Sequence, residues 1–465
     1  MIPGQNDDDI EPKDCVKKQA IHDPVSVQTR VRATVGCFLL IVLVAWSSAS
    51  VADEPLRHAE TYPEAASKKG LQVELLDDAL SLGIKHAALN VNLSQLVAPN
   101  ADQGSGAHLH WTRDGQTFSF HRDGVERLDH TIKTLSSRGV VVHLIILVYE
   151  SDQADVNRIM LHPNYDHTAP HRMSAFNAQT SEGRAWLTAT MEYLSQRWSR
   201  PDQQYGRVAG YILGNEVNSH WWWSNMGRVT MSEFADNYWV ALRLVHRAVR
   251  QHSTWARVYI SLDHHWGIRC PAGDEHQAFA GKDFIDYLAR RSREDGEGNF
   301  DWHVAYHPYP ENLFEPRFWN DKTALSGPDT PRITIKNLEV LTEYLRRPEL
   351  LYQGQPRRII LSEQGFHTPD GPTGEAIQAA AYCYAYRKIA RLDGVDAFIL
   401  HRHVDHPHED GLRLGLRRYV PAEADPRPAK MIYECFRHAD EPDWEEKFRF
   451  ALPIIGIQRW AEVEH

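Results

Sequence analysis

The feature of this sequence that most limits its fold is a recurring order of segments. A β-branched apolar run, a polar loop and an amphipathic helix follow one another repeatedly along the 465 residues. This alternation is typical of parallel strands joined by crossover helices. Seven strands are predicted, at residues 84–92, 140–149, 208–213, 257–262, 302–306, 358–361 and 397–400. The weak segment 56–62 is the candidate for an eighth strand, which would precede all of the others.

The segments between the strands predict helices and two insertions. Residues 108–111 and 117–120 flank an Asp114-Gly115 turn and predict a β-hairpin. The polar segment 150–182 predicts a long functional loop. Helices are predicted near residues 71–82, 124–137, 230–251, 281–292, 333–347, 374–391 and 428–438. No composition break divides the chain, so we predict an α/β fold, a single (β/α)8 TIM barrel with long β→α loops and a small β-hairpin insertion, over residues 53–465.

Residues 1–52 predict an N-terminal extension with a signal peptide. Arg30 and Arg32 precede an apolar run at 35–46 and a small-residue stretch at 47–52. The run has the length of a signal-peptide core and is short for a membrane span. We expect a secreted, periplasmic or cell-surface protein whose mature chain begins at Asp53 and has no stable membrane span, with an uncleaved anchor as the alternative.

Charge and cysteine content exclude two classes of function. The formal net charge of −11 argues against nucleic acid as a partner, because binding to phosphate backbones needs clustered Lys and Arg. Cys270, Cys383 and Cys435 lie far apart in sequence and show no C-x-x-C spacing. We therefore expect buried thiols, with at most one bridge, rather than a disulfide framework or a zinc site.

Two glutamates that directly follow predicted strands are the first candidates for chemistry. Glu216 lies in Gly-Asn-Glu-Val-Asn, and Glu363 lies in Ser-Glu-Gln-Gly. In a barrel of this type the carboxyl ends of the strands converge on one mouth, so both carboxylates point to a shared pocket. Cleavage of a glycosidic bond needs such a pair. The alternative is that each glutamate forms a structural salt bridge with a nearby arginine.

These motifs resemble those of a known clan. Gly-Asn-Glu after the fourth strand and Ser-Glu-Gln-Gly after the seventh resemble the acid/base and nucleophile motifs of the retaining (β/α)8 glycoside hydrolases of clan A, which includes cellulases, mannanases and β-galactosidases. Residues 67–72 and 86–92 are similar to an uncharacterised bacterial family of such barrels. The resemblance implies a carbohydrate substrate and requires no metal and no cofactor.

Carried over by motif, the resemblance implies a role for five residues. Glu216 is the acid/base, Glu363 is the nucleophile, and Asn215 donates to the sugar 2-hydroxyl. His307 and Tyr309 match the clan's His-x-Tyr after the sixth strand, where the tyrosine bonds the nucleophile and the histidine contacts substrate. The alternative is that each is a structural residue in a gap of the core.

The sequence departs from the clan at two strand ends. The second strand ends in Asn90 and Asn92, where several members place an arginine. The eighth ends in His401, Arg402 and His403, where many place a tryptophan. We predict that Asn90, His401 and Arg402 contact substrate and that Arg402 is the charge partner of Glu363.

Tryptophans supply flat apolar faces on which pyranose rings stack. Trp221, Trp222 and Trp223 follow the acid/base motif, and Trp266 follows the fifth strand. Three consecutive tryptophans cannot all face a core, so we expect at least one to line the cleft. Trp221, Trp222 and Trp266 are the predicted sugar contacts.

Two other functions fit parts of the same pattern. A metal-dependent barrel hydrolase would use His401, His403 and Asp405 as partial ligands. A non-catalytic carbohydrate-binding barrel would keep the aromatic cleft without turnover. The leading hypothesis is a glycoside hydrolase that acts on a poly- or oligosaccharide.

Overall fold

A computed structural model describes residues 61–102, 104–421 and 423–463. Its strands are β1 (Lys69–Gln72), β2 (His86–Asn92), β3 (His108–Arg113), β4 (Gln116–His121), β5 (Val141–Leu147), β6 (Gly210–Leu213), β7 (Arg257–Asp263), β8 (Trp302–His307), β9 (Ile359–Gln364) and β10 (Val395–Leu400). Its helices are α1 (Leu76–Ser81), α2 (Leu93–Leu96), α3 (Arg122–Ser136), α4 (Ala154–Met160), α5 (Ser181–Trp198), α6 (His220–Trp223), α7 (Met231–His252), α8 (Gly281–Glu294), α9 (Glu339–Tyr344), α10 (Gly374–Ala390), α11 (Met431–His438), α12 (Trp444–Phe448) and α13 (Ala451–Ile455).

Eight of the strands form a closed parallel barrel. The order around the barrel is β1-β10-β9-β8-β7-β6-β5-β2, so β1 pairs with both β2 and β10 and closes the sheet. β3 and β4 form a separate antiparallel hairpin about the Asp114-Gly115 turn. The predicted (β/α)8 barrel and its hairpin insertion are therefore confirmed.

The strands are buried on both faces because the barrel has an inner and an outer core. Every residue of β5, β6, β8 and β9 is buried. The interior is filled by side chains that alternate with those facing the helices. This inner cluster contains Ala88, Ile145, Ile212, Tyr259, Ala305, Ile360, Ala397 and Ile399.

The helices cover the outer face through apolar stripes. α7 begins as predicted: the Thr230 side chain accepts from the Glu233 backbone, and the Glu233 side chain accepts from the Thr230 backbone. Its buried stripe packs along α5. The β3–β4 hairpin also packs on α5, where Phe120 stacks on Tyr193 at 4.6 Å between ring centroids.

The start of the barrel differs from the prediction. Residues 71–82 were expected to form one helix, but they contain the end of β1, a turn and the short helix α1. Residues 61 and 62 lie outside any strand, and residues 56–60 lie outside the described part of the chain. β1 was missed because it has only four residues and includes Gly70. Glycine is needed there, since a Cβ would lie 2.8 Å from Cγ1 of Ile399, its partner on the neighbouring strand β10.

Two other segments are less regular or more regular than predicted. The expected helix at 333–347 is a 3-10 turn, Ile335–Asn337, followed by the single short helix α9. The expected loop at 150–182 contains α4 and a 3-10 turn at Pro170–Arg172. Short-range apolar spacing at 333–347 fits both helix types, so the pattern could not separate them.

The predictions on targeting and thiols have different outcomes. The extension 1–52 lies outside the described residues. Within the described residues, every helix is too short or too polar to cross a bilayer. Cys383 and Cys435 are free and buried, and burial raises the pKa of the Cys383 thiol well above its usual value.

The barrel interior generates a stability prediction at Gly210 on β6. A Cβ at this position would lie 2.9 Å from the Tyr259 ring and would also overlap the His143 imidazole. We expect Gly210→Ala to lower the free energy of unfolding by about 1–3 kcal/mol, as overpacked cores do. Urea unfolding followed by circular dichroism measures the difference. Gly106→Ala is the control, because a Cβ at that exposed glycine meets nothing within 4 Å; equal effects of the two changes would contradict the packing argument.

Candidate active site

The two glutamates singled out in the sequence meet at one mouth of the barrel. Glu216 lies three residues after the end of β6, and Glu363 is the second-last residue of β9. A carboxylate oxygen of each and a ring nitrogen of His307 all lie within 4.8 Å of one another. Both glutamates are buried, with 5% and 8% of their surface exposed. Two buried acids that meet at one barrel mouth mark it as the candidate functional site.

A tight backbone turn directs Glu216 into this mouth. Its φ of +40° lies in the left-handed region, which is unfavourable for a residue with a side chain, and it follows Gly214 at φ +79°. The Glu216 N–H donates to Ser261 Oγ of β7 at 3.0 Å. This bond fixes the turn against the neighbouring strand, so the Glu216 side chain is held over the barrel axis.

His307 connects Glu216 to the strand that carries the other glutamate. Its Nδ1 lies 2.9 Å from Glu216 Oε1, and its Nε2 lies 3.0 Å from Ser362 Oγ. The ring is 1% exposed. A neutral imidazole satisfies both contacts: it donates a hydrogen bond from Nδ1 to Glu216, and it accepts one at Nε2 from the Ser362 hydroxyl. His307 therefore fixes the position of one oxygen of Glu216.

Glu363 accepts hydrogen bonds from two side chains. The Tyr309 hydroxyl donates to Oε1 at 3.0 Å, and Gln72 Nε2 donates to Oε2 at 3.3 Å. Burial, together with the charges of Glu363 and Glu216, raises the pKa of Tyr309 well above its usual value, so its hydroxyl stays a donor. Burial and the Glu363 charge also raise the pKa of Tyr149, which stands nearby.

A second layer of charged groups lies behind Gln72. His401 Nδ1 is 2.7 Å from Gln72 Oε1, and His401 Nε2 is 3.0 Å from Glu409 Oε1. Arg402 donates to Glu409 at 2.7 Å and to Glu74 at 3.1 Å. Burial acts to raise the pKa of Glu409, but the His401 hydrogen bond and the charges of His401 and Arg402 outweigh it and lower that pKa to about 2. Glu409 is therefore an ionised carboxylate inside the protein.

A cleft of about 780 Å³ opens beside these groups. It extends from Gln72 and His401 across β2 and β5 to the segment around His171. The polar and aromatic side chains that line it include Glu74, Asn90, Asn92, Tyr149, Glu150, Arg172, Arg402, His406 and His408. Its size is in the range of small-molecule and sugar sites.

One known protein family matches this chain over most of its length. The model of a family described as "Family of unknown function (DUF5722)" matches residues 61–463. The chain belongs to this family. No curated protein matches it in sequence.

Solved structures share the barrel. A family 39 glycoside hydrolase from the gut symbiont Bacteroides cellulosilyticus WH2 is 13% identical, with a TM-score of 0.50 over 81% of this chain and 63% of that chain. The exo-beta-1,4-mannosidase Op5Man5 from Opitutaceae bacterium strain TAV5 is 15% identical, at 0.47 over 86% and 63%. A hyperthermophilic beta-glucosidase from Pyrococcus furiosus is 15% identical, at 0.46 over 82% and 86%. This chain spans 63% of the length of the first two. At these identities the likeness establishes the barrel fold and nothing finer.

Arg402 does not have the contact that the sequence predicted. Its guanidinium pairs with Glu409 and Glu74 rather than with Glu363. Tyr309 and Gln72 donate hydrogen bonds to Glu363. The prediction was wrong because β1, which carries Gln72, was interpreted as part of a helix.

The predicted aromatic contacts divide between the mouth and the core. Trp221 is half-buried and packs against the inner cluster of the barrel. Trp222 is 4% exposed and lies against Gly273, and Trp223 stacks on His171 at 4.3 Å. Trp221 is thus the most open of the three.

Trp266 is a correction to the sequence prediction. It is fully buried, its indole N–H donates to the Pro328 carbonyl at 3.0 Å, and its ring meets Tyr344 of α9 edge-on at 4.9 Å. The side chain belongs to the outer core and does not reach the mouth.

The structure does not assemble the metal ligands of the alternative hypothesis. His403 Nε2 is 2.7 Å from Asp78, and Asp405 accepts from the buried Lys430 ammonium at 2.7 Å, whereas His401 bonds Gln72 and Glu409. The three predicted ligands therefore belong to separate networks. The spacing of Glu216, His307 and Glu363 would also admit an ion, but both nitrogens of His307 already bond protein groups.

Several residues of the site were missed from the sequence. Gln72, Tyr149, His171 and Glu409 all line the cleft or bond its groups. Tyr149 ends an apolar strand and could have been found by the same rule as Glu216. His171 and Glu409 lie in irregular segments, where no periodic pattern shows which way a side chain points. The remaining predictions, Asn90 and Asn215, lie at the mouth: Asn90 is exposed in the cleft, and Asn215 is buried beside Glu216.

The lowered pKa of Glu409 generates a prediction on stability against pH. A pKa that falls from 4.5 to about 2 on folding contributes on the order of 3 kcal/mol above pH 4.5. This contribution is lost as the pH falls from about 4.5 towards 2. We expect Glu409→Gln to lower the free energy of unfolding by about this amount at pH 7, with the difference from wild type shrinking below pH 4.5. Denaturant unfolding at several pH values measures it.

The control for this prediction is Glu126→Gln, which removes an exposed i,i+4 pair with Arg122. We expect a change of less than about 0.5 kcal/mol there. A Glu409→Gln effect that stays constant from pH 7 to pH 3 would contradict the assigned ionisation.

Proposed function

We propose that this chain is a glycoside hydrolase that cleaves O-glycosidic bonds of a poly- or oligosaccharide with retention of configuration, with Glu363 as nucleophile and Glu216 as acid/base. The observation that carries the proposal is the approach of their carboxylate oxygens to within 4.8 Å at one barrel mouth. Retaining enzymes hold their carboxyl groups ~5–5.5 Å apart, whereas inverting enzymes need ~6.5–9.5 Å to admit a water. The short separation favours retention.

The contacts of each glutamate fit its proposed step. Glu363 attacks the anomeric carbon as a carboxylate, and donors from Tyr309 and Gln72 keep it ionised and aligned. As the bond from the sugar carbon to Glu363 forms, the glycosidic C–O bond breaks and Glu216 gives its proton to the leaving oxygen. In the second step Glu216 takes a proton from water, whose oxygen attacks the same carbon and releases Glu363.

The cleft supports an uncharged saccharide as substrate. Both arginines that line it are already bound to carboxylates, Arg402 to Glu409 and Arg172 to Glu150. The lining also carries amide, imidazole and phenol groups of the kinds that bond sugar hydroxyl groups, including those of Asn90 and Tyr149. Trp221, which is half-buried against the inner cluster, is the aromatic side chain that we propose for sugar stacking. The signal-peptide pattern of residues 1–52 supports export from the cell, where the protein would encounter polysaccharides.

The nucleophile is tested by azide rescue. We expect Glu363→Ala to lower turnover of an activated aryl glycoside by on the order of 10⁴-fold or more, because no covalent intermediate can form. Azide then attacks from the vacated face and gives a glycosyl azide of inverted configuration, identified by NMR. Glu216→Ala with azide gives the azide of retained configuration. The exposed variant Glu343→Ala is the control.

Three results would separate the alternatives. Normal turnover by Glu363→Ala removes the nucleophile assignment. Loss of wild-type activity in EDTA with recovery on adding zinc indicates the metal-dependent hydrolase. Glycan binding by the wild type with no turnover across a panel of polysaccharides and aryl glycosides indicates the non-catalytic barrel.

The hydrogen bond from Tyr309 to Glu363 is tested with a matched pair of tyrosines. Tyr309→Phe removes a donor to the nucleophile, so we expect kcat to fall by about 10- to 100-fold. Tyr306→Phe also removes one buried hydroxyl, but that hydroxyl donates to the Ile333 carbonyl outside the barrel. Steady-state kinetics of both variants, with thermal melting to compare their stabilities, should show the loss of kcat in Tyr309→Phe alone.

A further inference from the structure

The orientation of the Gln72 amide is set by the groups on its two sides. Its Nε2 faces Glu363 Oε2 at 3.3 Å, and its Oε1 faces His401 Nδ1 at 2.7 Å. An ionised carboxylate can only accept hydrogen bonds, so the NH₂ group must point to Glu363 whenever Glu363 is charged. The amide oxygen then faces His401, and His401 Nδ1 must carry a proton.

The other nitrogen of His401 also faces an acceptor. Nε2 lies 3.0 Å from Glu409 Oε1, and the same oxygen pairs with the Arg402 guanidinium at 2.7 Å, which holds Glu409 as a carboxylate. A neutral imidazole has one N–H and can donate from only one nitrogen. With acceptors at both positions, the geometry requires the imidazolium cation, held in a position that is 7% exposed.

We propose that His401 is a positioning residue: Glu409 holds it as a cation, and it acts through Gln72 to keep Glu363 ionised and aligned for attack. This inference rests on the proposed function, in which Glu363 is the nucleophile. We name this chain of residues, Glu409, His401, Gln72 and Glu363, the mouth relay. His401 stands at the strand end where many clan members carry a tryptophan, and the mouth relay gives that departure a physical role.

The mouth relay acts within a wider set of charges. Glu363 also faces the Tyr309 hydroxyl, Tyr149 and the like charge of Glu216, which His307 bonds. His401 shares Glu409 with Arg402, whose other partner is Glu74. Glu216 opposes ionisation of Glu363, whereas the Tyr309 donor and the His401 cation favour it. Removing the cation should therefore raise the pKa of Glu363.

The test measures the Glu363 carboxyl directly and does not need turnover. The full chain is labelled with ¹³C at the glutamate side-chain carboxyl, and the Glu363 resonance is identified by its loss in Glu363→Gln. We expect the titration midpoint of this resonance to rise by about one pH unit in His401→Gln and in Gln72→Met. Thermal melting establishes that each variant is folded.

His403→Gln is the matched control. His403 is two residues further along, is fully buried and also bonds a carboxylate, Asp78, at 2.7 Å, but it belongs to a separate network. We expect no shift of the Glu363 midpoint in this variant. If His401→Gln fails to fold, Gln72→Met and Glu409→Gln carry the test.

Kinetics link the measurement to the reaction. The acidic limb of kcat/KM should move upward by the same amount in His401→Gln and Gln72→Met and stay in place in His403→Gln. A Glu363 midpoint unchanged in the folded variants, or equally shifted in His403→Gln, would overturn the mouth relay. If the midpoint shifts in His401→Gln and Gln72→Met but the wild-type protein shows no turnover, the hydrolase proposal is overturned. The mouth relay then stands as a structural coupling.

Discussion

The repulsion between two buried carboxylates governs the architecture of the barrel mouth. Glu216 and Glu363 approach within 4.8 Å of one another and are largely shielded from water. Like charges this close cannot both be ionised at low cost, so their surroundings must decide which one holds the proton. The protein places two neutral donors on Glu363 and a histidine on Glu216, and thereby makes the two acids inequivalent.

The need for compensation extends outward from this pair. Behind the Gln72 amide, carboxylates and basic groups alternate, from His401 to Glu409 and from Glu409 to Arg402. Behind Gln72, the Glu409 carboxylate lies between His401 and Arg402, and Arg402 also pairs with Glu74, so these buried charges compensate one another. The same alternation argues against the metal site of the alternative hypothesis, because Nε2 of His401 and Nε2 of His403 already bond the carboxylates of Glu409 and Asp78.

Most of the barrel could be predicted from the sequence because doubly buried strands leave long apolar runs. β5 and β9 were found within a few residues of their ends, and the capping box fixed the start of α7. β1 was not found, since four residues with a glycine carry almost no periodic signal. Its apolar Leu71 matched the spacing of the next helix by chance.

The candidate site was predictable only at its centre. Glu216 and Glu363 follow strong strands, and strand ends of a barrel converge whatever the loops do. The partners of these residues were not predictable, because a hydrogen bond such as that of Gln72 to His401 depends on side-chain direction across the sheet. Trp266 failed for the same reason: three residues beyond the end of β7, the chain has turned and its side chain faces the outer core.

The pairing of β1 with β10, which closes the barrel, affects when the site can form during synthesis. Gln72 and His401 are 329 positions apart and become neighbours only when the last strand closes the cylinder. On the ribosome, a nascent chain that already contains Glu216, Glu363 and Gln72 still lacks His401 and Glu409. The mouth relay is therefore completed late in synthesis, and a fragment that ends before β10 would lack it however well its earlier strands had formed.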